Sequence, residues 1–392
     1  MSISLDVSWK SLNKKNEELC GDKVEVLKND NSNIIILSDG MGSGVKANIL
    51  ATLTSKILGT MLVNGATIEE CVTTIAKTLP VCKTRNVAYS TFSILQIFND
   101  GSAYLVEYDN PGCIFVRDNQ LVELPFGVRE IEGKIIREYR FQVKKEDFFV
   151  LVSDGVVHAG VGQTYSFGWT RNRAAQFVRD MCCANERMSG PRLCALVSQQ
   201  CNDLYNQTPG DDTTVAVAKI IEQKTVNIFT GPPCSYDDDE ILMNDFMSEE
   251  GAKVVSGGTS ANIAARHLGK RIVASLTYND PDIPPTAMIE GLDLVTEGVL
   301  TLNRAANMLN EYNEGANDEA FFGALDADNG AARIAKLLIE DCTHLNMFVG
   351  QAMNAAHQAA GLPFDLSIRM RLVDKIIAEC KKMGKTVVVK YY

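Results

Sequence analysis

The 392-residue sequence contains no stretch of about 20 apolar residues, the length that a membrane-spanning helix needs. Its first 15 residues mix polar and charged side chains and have no apolar core of the kind that a signal peptide has. The eleven cysteines are scattered and never form a C-x-x-C pair, so neither a paired-cysteine zinc site nor a thioredoxin-like motif is indicated. We expect a cytoplasmic protein with buried, reduced thiols and no membrane partner.

Positive charge is also scarce. The formal net charge is −11, and residues 1–221 carry 23 basic and 25 acidic residues, whereas residues 222–392 carry 15 and 24. Proteins that bind nucleic acids need a basic patch or stripe, and none is visible. We therefore expect no nucleic-acid partner. Local basic pairs such as Lys14-Lys15 are interpreted as solvated surface.

The first half of the chain predicts short strands with helices grouped between them. Turn-forming segments such as Asn99-Asp100-Gly101 and Asn110-Pro111-Gly112 separate closely spaced strand candidates, and strands joined by such turns are antiparallel. This pattern indicates an α+β fold, a β-sandwich flanked by helices. Strands are predicted at residues 33–38, 89–98, 103–108, 113–117, 148–152 and 214–221, and helices at 45–64, 68–79, 171–183 and 190–205.

Beyond about residue 222, strand candidates alternate with helical stretches. Such alternation is typical of a mostly parallel, Rossmann-like α/β sheet. We therefore predict two domains, residues 1–221 and residues 222–392, with the boundary near 221–225. In the second domain, strands are predicted at residues 226–229, 253–255, 271–276, 292–295, 346–349 and 386–390.

Two apolar strand candidates of the first half end in the same way. One runs into Ser38-Asp39-Gly40 and the other into Ser153-Asp154-Gly155. A carboxylate at the tip of a buried strand is held rigidly, and the glycine lets the backbone turn close to it. Two further acidic segments, Gly21-Asp22 and Asp211-Asp212, stand close to strand candidates.

Each aspartate alone could be a turn residue or a helix cap. As a set, converging carboxylates would repel one another unless cations lay between them. Hard divalent ions such as magnesium or manganese take oxygen ligands and meet that need. The repeated strand-end pattern therefore favours a metal site.

With these motifs, residues from about 1 to 221 resemble the metal-dependent type 2C protein phosphatases. The resemblance is closer to the bacterial branch typified by the stage II sporulation protein E phosphatase. It implies a β-sandwich flanked by helices that holds two divalent cations, manganese or magnesium. The segments that carry it are residues 21–22, 38–44, 153–155 and 211–215, with the turn at 110–112.

By this resemblance, Asp39 would bridge the two metal ions and the Gly40 carbonyl would bind one of them. Asp154 and Asp211 would complete the shell of the second ion, and Asp22 would hold the other directly or through water. Asp39 and Asp154 are then the expected catalytic residues. A hydroxide formed from the bridging water would attack phosphorus in line, and the ions would offset the charge of the phosphoryl group.

The resemblance also implies a phosphoprotein substrate, by analogy a phosphorylated anti-sigma-factor antagonist or a similar small bacterial regulator. The phosphate-gripping arginine that larger eukaryotic-type members have near the N-terminus has no counterpart here. Activity is therefore expected to need a partner or a rearrangement. His158 lies nearest the motifs and is interpreted as a bystander. The glycine-rich segment 40–46 does not have the Gly-Lys-Ser/Thr ending of a phosphate-binding loop.

The second domain offers one candidate site. Gly257, Gly258, Thr259 and Ser260 form a loop that leads into a helix, and such a loop is either an anion site or simply a helix cap. The G-x-G-x-x-G dinucleotide fingerprint is absent, so no nicotinamide cofactor is indicated. An alternative function follows: a phosphatase-fold binding protein whose second domain binds a small ligand or a partner. No nucleophile–base pair indicates separate catalysis there.

Overall fold

The computed structural model of the protein describes residues 3–79, 90–185, 187–275, 283–352 and 364–392, with side chains from residue 368 onward in the last range. The chain separates into two compact units, Met1–Glu222 and Gln223–Tyr392. Among the described residues, no helix combines the length and the apolar character needed to cross a membrane.

The described part of the first unit consists of strands that form two sheets and of helices that pack on them. The strands are β1 (Ile3–Leu12), β2 (Asp22–Lys28), β3 (Ser32–Gly40), β4 (Ser90–Phe98), β5 (Ser102–Tyr108), β6 (Ile114–Arg117), β7 (Gln120–Leu121), β8 (Gly127–Ile131), β9 (Lys134–Gln142), β10 (Phe148–Val152) and β11 (Thr213–Glu222). The helices are α1 (Gly44–Val63), α2 (Ile68–Thr78), α3 (Asp154–His158), α4 (Arg171–Ala184) and α5 (Gly190–Leu204).

The two sheets of the first unit pack face to face. One has the strand order β2-β3-β4-β5-β9-β8 and the other β1-β11-β10-β6-β7, with antiparallel pairs throughout. Successive residues of a strand point to opposite faces. In β3, Ile35 and Leu37 join the core between the sheets, while Ile34 and Ile36 pack with residues of α1 and α2. The α+β sandwich that the sequence predicts is therefore present.

Five strands of the first unit have no counterpart in the sequence prediction: β1, β2, β7, β8 and β9. All five have exposed or half-buried positions, and all but the two-residue β7 carry charged side chains, as in Lys134–Gln142. Their apolar pattern is therefore weak. The predicted strands are mostly buried, and Phe148–Val152 is buried at every position. Tyr89, the first residue of one predicted strand, lies outside the described residues.

The described part of the second unit contains one sheet with helices around it. The strands are β12 (Thr225–Thr230), β13 (Ala252–Ser256), β14 (Val273–Ala274), β15 (Ala287–Met288), β16 (Leu294–Thr296), β17 (His344–Val349) and β18 (Thr386–Tyr391). The described helices are α6 (Asp238–Ser248), α7 (Gly258–Leu268), α8 (Val299–Asn313), α9 (Glu319–Leu325), α10 (Gly330–Lys336, continued by a π-helical turn Leu337–Asp341) and α11 (Phe364–Lys382).

Most of this second sheet is parallel. Its order is β14-β15-β16-β13-β12-β17-β18. The five strands β16, β13, β12, β17 and β18 run parallel to one another, and β15 pairs antiparallel with β16. The strand predicted at 271–276 is only two described residues long, Val273–Ala274, and pairs antiparallel at the edge of the sheet. Its two residues are exposed, so this position belongs to a sheet edge and not to the buried parallel core. Leu276 lies outside the described residues.

Candidate metal centre

Asp22 and Asp39 are brought together by the pairing of β2 with β3. In the register of this antiparallel pair, Asp22 lies directly opposite Asp39. Residues opposite each other in such a pair point to the same face, with Cβ atoms about 4.5–5.5 Å apart. Asp22 is the first residue of β2, and Asp39 is the last but one of β3. The strand pairing therefore sets two carboxyl groups side by side.

Asp154 and Asp211 come from the other sheet. Asp154 opens α3 two residues after β10 ends, and Asp211 lies two residues before β11 begins. Val152 of β10 is paired with Val215 of β11, which holds the end of one strand beside the start of the other. Two hydrogen bonds extend this pairing: the Ser153 N–H donates to the Thr214 carbonyl at 3.0 Å, and the Thr214 N–H donates to Ser153 Oγ at 2.8 Å.

Gly40 and Gly155 are required by close backbone approaches. A Cβ on Gly40 would stand 2.0 Å from the carbonyl oxygen of Ala47 in α1. A Cβ on Gly155 would stand 2.1 Å from the carbonyl oxygen of Asp212. The glycine after each aspartate thus allows a neighbouring segment to reach the strand end. The role of the Gly40 carbonyl as a metal ligand stays a prediction.

The carboxyl groups of the cluster disfavour one another's charge. Burial, and then the charges of Asp22, Asp154 and Asp211, raise the pKa of Asp39 to about 9. Burial also raises the pKa of Asp22 to about 7. The pKa of Asp154 is raised as well, by burial first and by Asp211 second. The four aspartates named from the sequence therefore form one electrostatic cluster.

Lys14 is a neighbour of this cluster that the sequence analysis missed. Its Nζ lies 3.2 Å from Asp211 Oδ1, and its backbone N–H donates to Asp212 Oδ1 at 3.0 Å. Lys14 is therefore not simply solvated surface, as its charge pattern suggests. No sequence signal identified it, because its position depends on β1, which pairs with β11.

The donor set fits a hard divalent cation. Within the described parts of the chain, both carboxylate oxygens of Asp22 and the Oδ2 atom of Asp212 are buried and have no hydrogen-bond partner, a rare condition for charged oxygens inside a protein. Among the described residues, no three His, Cys, Asp or Glu side chains already converge as the ligands of one ion. The charges of Asp22, Asp154 and Asp211 nevertheless act on the Asp39 carboxyl group and raise its pKa. An all-oxygen set of this kind is what manganese and magnesium take.

His158 lies beside the cluster. Its Nδ1 atom is 4.0 Å from Asp154 Oδ2, one helical turn away on α3, and both side chains are about half exposed. This distance is too long for a hydrogen bond. The position agrees with the interpretation of His158 as a bystander.

In the loop at residues 257–260 of the second unit, Ser260 has a structural role. Ser260 is buried, and its Oγ accepts the Gly231 N–H at 2.8 Å, which ties the loop after β13 to the loop after β12. Gly257 precedes α7 with φ at +116°, whereas Gly258 and Thr259 are in its first turn. Gly257 is the residue before the helix, and no described side chain caps the helix N-terminus by a hydrogen bond. Whether the loop binds an anion stays a prediction.

Residues 29–221 match the family model described as Stage II sporulation protein E (SpoIIE). No curated protein sequence matches the chain. Solved structures that resemble it include the phosphatase domain of the cell fate determinant SpoIIE from Bacillus subtilis with a fragment of its regulatory domain. That pair has 19% identity and a TM-score of 0.47, over 56% of this chain and 64%, less than two thirds, of the relative.

Two further structures give similar values. The RsbU and RsbW domains of a Mycobacterium tuberculosis protein have 15% identity and a TM-score of 0.47, over 64% of this chain and 72% of theirs. The catalytic domain of the serine/threonine protein phosphatase PstP, in complex with two manganese ions, has 14% identity and a TM-score of 0.37. That match covers 56% of this chain and 100% of the PstP chain.

Proposed function

Residues 29–221 belong to the stage II sporulation protein E family, and on this premise we propose that the first unit is a metal-dependent serine/threonine phosphoprotein phosphatase. One observation carries the proposal. Two strand pairings, β2 with β3 and β10 with β11, bring Asp22, Asp39, Asp154 and Asp211 within electrostatic reach of one another. Rigid strands that gather four carboxyl groups suit the binding of cations better than any role in packing.

Two manganese or magnesium ions would be held by Asp39, the Gly40 carbonyl, Asp154, Asp211 and Asp22. When bound, such ions supply an activated water and offset the negative charge of a phosphoryl group. The protein itself would hold the carboxyl groups that bind these ions in position. The strand ends fix Asp39 and Asp154, the proposed catalytic residues, and Lys14 fixes Asp211 from the side.

The substrate we propose is a small bacterial phosphoprotein regulator in the cytoplasm, such as a phosphorylated anti-sigma-factor antagonist. Family membership is the support for this choice, since fold alone does not determine substrate.

The second unit is proposed to be a Rossmann-like domain that senses a ligand or docks a partner. Counted along the chain, its five parallel strands lie in the order 3-2-1-4-5, and in such sheets ligands bind where the order reverses, beyond the carboxyl ends of the first and fourth strands. Here these are β12 and β17. The buried Arg369 lies there, against Gly231, and donates to the carbonyl oxygens of Gly350 and Ala352 at 3.1 and 2.7 Å.

A small anion would be held near this position by the backbone N–H groups at the start of α7, at Gly258 and Thr259. Gly257 allows the turn, and Ser260 holds the loop in place. This arrangement supports the second candidate function, a phosphatase-fold binding protein.

The test is hydrolysis of p-nitrophenyl phosphate with manganese, with chelator, and with Asp39→Asn and Asp154→Asn. Turnover that needs manganese and falls at least 100-fold in both variants is the expected result. Asp180→Asn is the matched control, because Asp180 is an exposed aspartate on α4. Equal turnover in Asp39→Asn and in the unaltered protein would reject the phosphatase proposal. Calorimetric binding of inorganic phosphate by a protein without turnover, unchanged by Asp39→Asn, would favour the binding protein.

A further inference from the structure

A cavity of about 250 Å³ opens between the two sheets of the first unit. Leu105 of β5 and Phe115 of β6 are buried core residues in its wall, one from each sheet. The segment from Val122 to Phe126 contributes another part of the lining. No lining residue belongs to the aspartate cluster, so the cavity is a separate feature of the unit.

The cavity continues onto an uncovered sheet face. On β9, Arg137 lines the cavity, and Val128 of β8 lies directly opposite it, so both point to the same side. Ile135 lies on that side too, two residues along the strand. Phe126, Val128 and Ile135 are 52%, 61% and 56% exposed. Contiguous exposed apolar side chains of this size mark interaction sites.

The polar part of the wall is held rigidly. Glu107 is only 2% exposed, and it accepts the Cys113 N–H at 2.6 Å and the Tyr139 hydroxyl at 2.7 Å. These bonds fix the Tyr139 ring against the cavity. Burial raises the pKa of Glu107, opposed by the hydrogen bonds from Cys113 and Tyr139 and by the charges of Arg137 and Arg171. Because its two oxygens already accept bonds, Glu107 serves as part of the wall.

Two guanidinium groups stand at the cavity. Arg171 donates to the carbonyl oxygens of Gly112 and Cys113 at 3.0 and 2.8 Å and to Glu123 at 3.1 Å. Three of its five N–H donors are thereby used, and the group is held in one orientation. The Arg137 guanidinium lies 5.6 Å from the centre of the Phe126 ring. Pre-oriented guanidinium groups bind carboxylates through paired hydrogen bonds.

We propose that this cavity binds a small organic acid, a carboxylate on an aromatic or branched aliphatic body, with Arg137 as the main partner of the carboxylate. The apolar body would lie between Tyr139, Phe115 and Leu124. The volume is sufficient, because a cavity of about 150 Å³ admits benzene. Glu123, the acidic neighbour at the opening, is 80% exposed and already paired with Arg171, so it opposes an anion only weakly.

The test uses the full chain with chelator and two probes, phenylacetate and 4-methylpentanoate, titrated by protein NMR. Saturable binding of at least one acid in the millimolar range is expected, with phenylacetamide, the neutral analogue of phenylacetate, about tenfold weaker than its acid. Arg137→Met should weaken the acids about tenfold, which corresponds to about 1.4 kcal/mol. Arg140→Met is the matched control, since Arg140 lies on the same strand, points to the other face and packs on Tyr104.

Three results would overturn the proposal. They are no saturable binding of either acid, equal affinity for phenylacetate and phenylacetamide, and equal weakening by Arg137→Met and Arg140→Met. Arg137 is exposed, so its replacement leaves the core intact. The readout involves neither divalent cations nor turnover, and its outcome is therefore independent of the phosphatase proposal.

Discussion

Asp22 illustrates the cost of collecting carboxyl groups at one place. Its side chain is 4% exposed, and neither oxygen has a hydrogen-bond partner among the residues that the structure describes. An ionised carboxylate in that position would cost several kcal/mol unless a proton or a cation compensates it. The raised pKa of Asp22 reflects this cost. A bound divalent ion would provide the compensation without protonation.

Gly155 gives a prediction at the same scale. Gly155→Ala would place a methyl group 2.1 Å from the Asp212 carbonyl oxygen, and the backbone beside Asp211 would have to move. We expect the free energy of unfolding to fall by about 3 kcal/mol, at the upper end of the usual overpacking range. Urea unfolding of the metal-free protein measures it.

Gly127→Ala is the control for this change. An added Cβ on Gly127 meets its nearest neighbour, the Glu138 carbonyl oxygen, only at 4.0 Å, so its effect should stay within about 0.5 kcal/mol. If both variants unfolded at the same urea concentration, the close backbone approach at Gly155 would not affect the free energy of unfolding.

At the scale of elements, strands that contain a run of apolar residues were predictable, and strands without such a run were not. β3 and β10 each contain a run of apolar residues, and Asp39 and Asp154 were recognised because they follow those runs. β1 and β9 mix polar and apolar residues without an apolar run, and they are held by pairing with other strands, β1 with β11 and β9 with β5 and β8. The contact of Lys14 with Asp211 and the cavity beside Arg137 depend on these strands, so the local sequence could not reveal them.

The second unit shows the same limit. The long parallel strands β12, β17 and β18 were predicted with nearly correct bounds. The candidate at 271–276 has an apolar composition but lies at an exposed antiparallel edge. Arg369 was not identified, because nothing in the sequence of a helix indicates which loop of a sheet a basic side chain will reach.

Strand β1 also fixes a helix, which gives an element-scale prediction. Asp6 is buried, and its Oδ2 accepts the N–H of Gly190, the first residue of α5, at 3.0 Å. Asp6→Ala removes a charged acceptor from a helix N-terminus and should cost about 1–3 kcal/mol. Urea unfolding is again the measurement.

Ser4→Ala, a change of a half-buried residue on the same strand, is the control and should cost less than about 0.5 kcal/mol. An Asp6→Ala protein as stable as Ser4→Ala would contradict a role of β1 in holding α5.

At the scale of the whole molecule, the cluster predicts how stability depends on pH. The pKa of Asp39 is about 9 in the folded protein, against about 3.9 for an unfolded aspartate. Between these values the folded state binds more protons than the unfolded state, so the free energy of unfolding falls as pH rises. We therefore expect the metal-free protein to be most stable below about pH 4 and to lose stability as the pH rises to about 9.

The measurement is urea unfolding with chelator at a series of pH values. Asp39→Asn should flatten the slope, because the amide does not titrate. Manganese at pH 8 should raise the unfolding temperature of the unaltered protein, because a ligand that binds only the folded state stabilises that state. The increase should be much smaller for Asp39→Asn. Two results would contradict the role of Asp39 in this pH dependence. One is a free energy of unfolding of the metal-free protein that rises from pH 4 to pH 9, and the other is a pH dependence that Asp39→Asn leaves unchanged.

The pairing of β1 with β11 has a consequence for synthesis of the chain. Asp22 leaves the ribosome early, whereas Asp211 and β11 follow at the far end of the same unit. At about 5–20 residues per second, the roughly 190 intervening residues take on the order of 10–40 s to make. During that interval β1 has no partner strand and the aspartate cluster is incomplete. The first unit is thus incomplete until its last strand is inserted, and cation binding by the aspartate cluster would mark the completion of its folding.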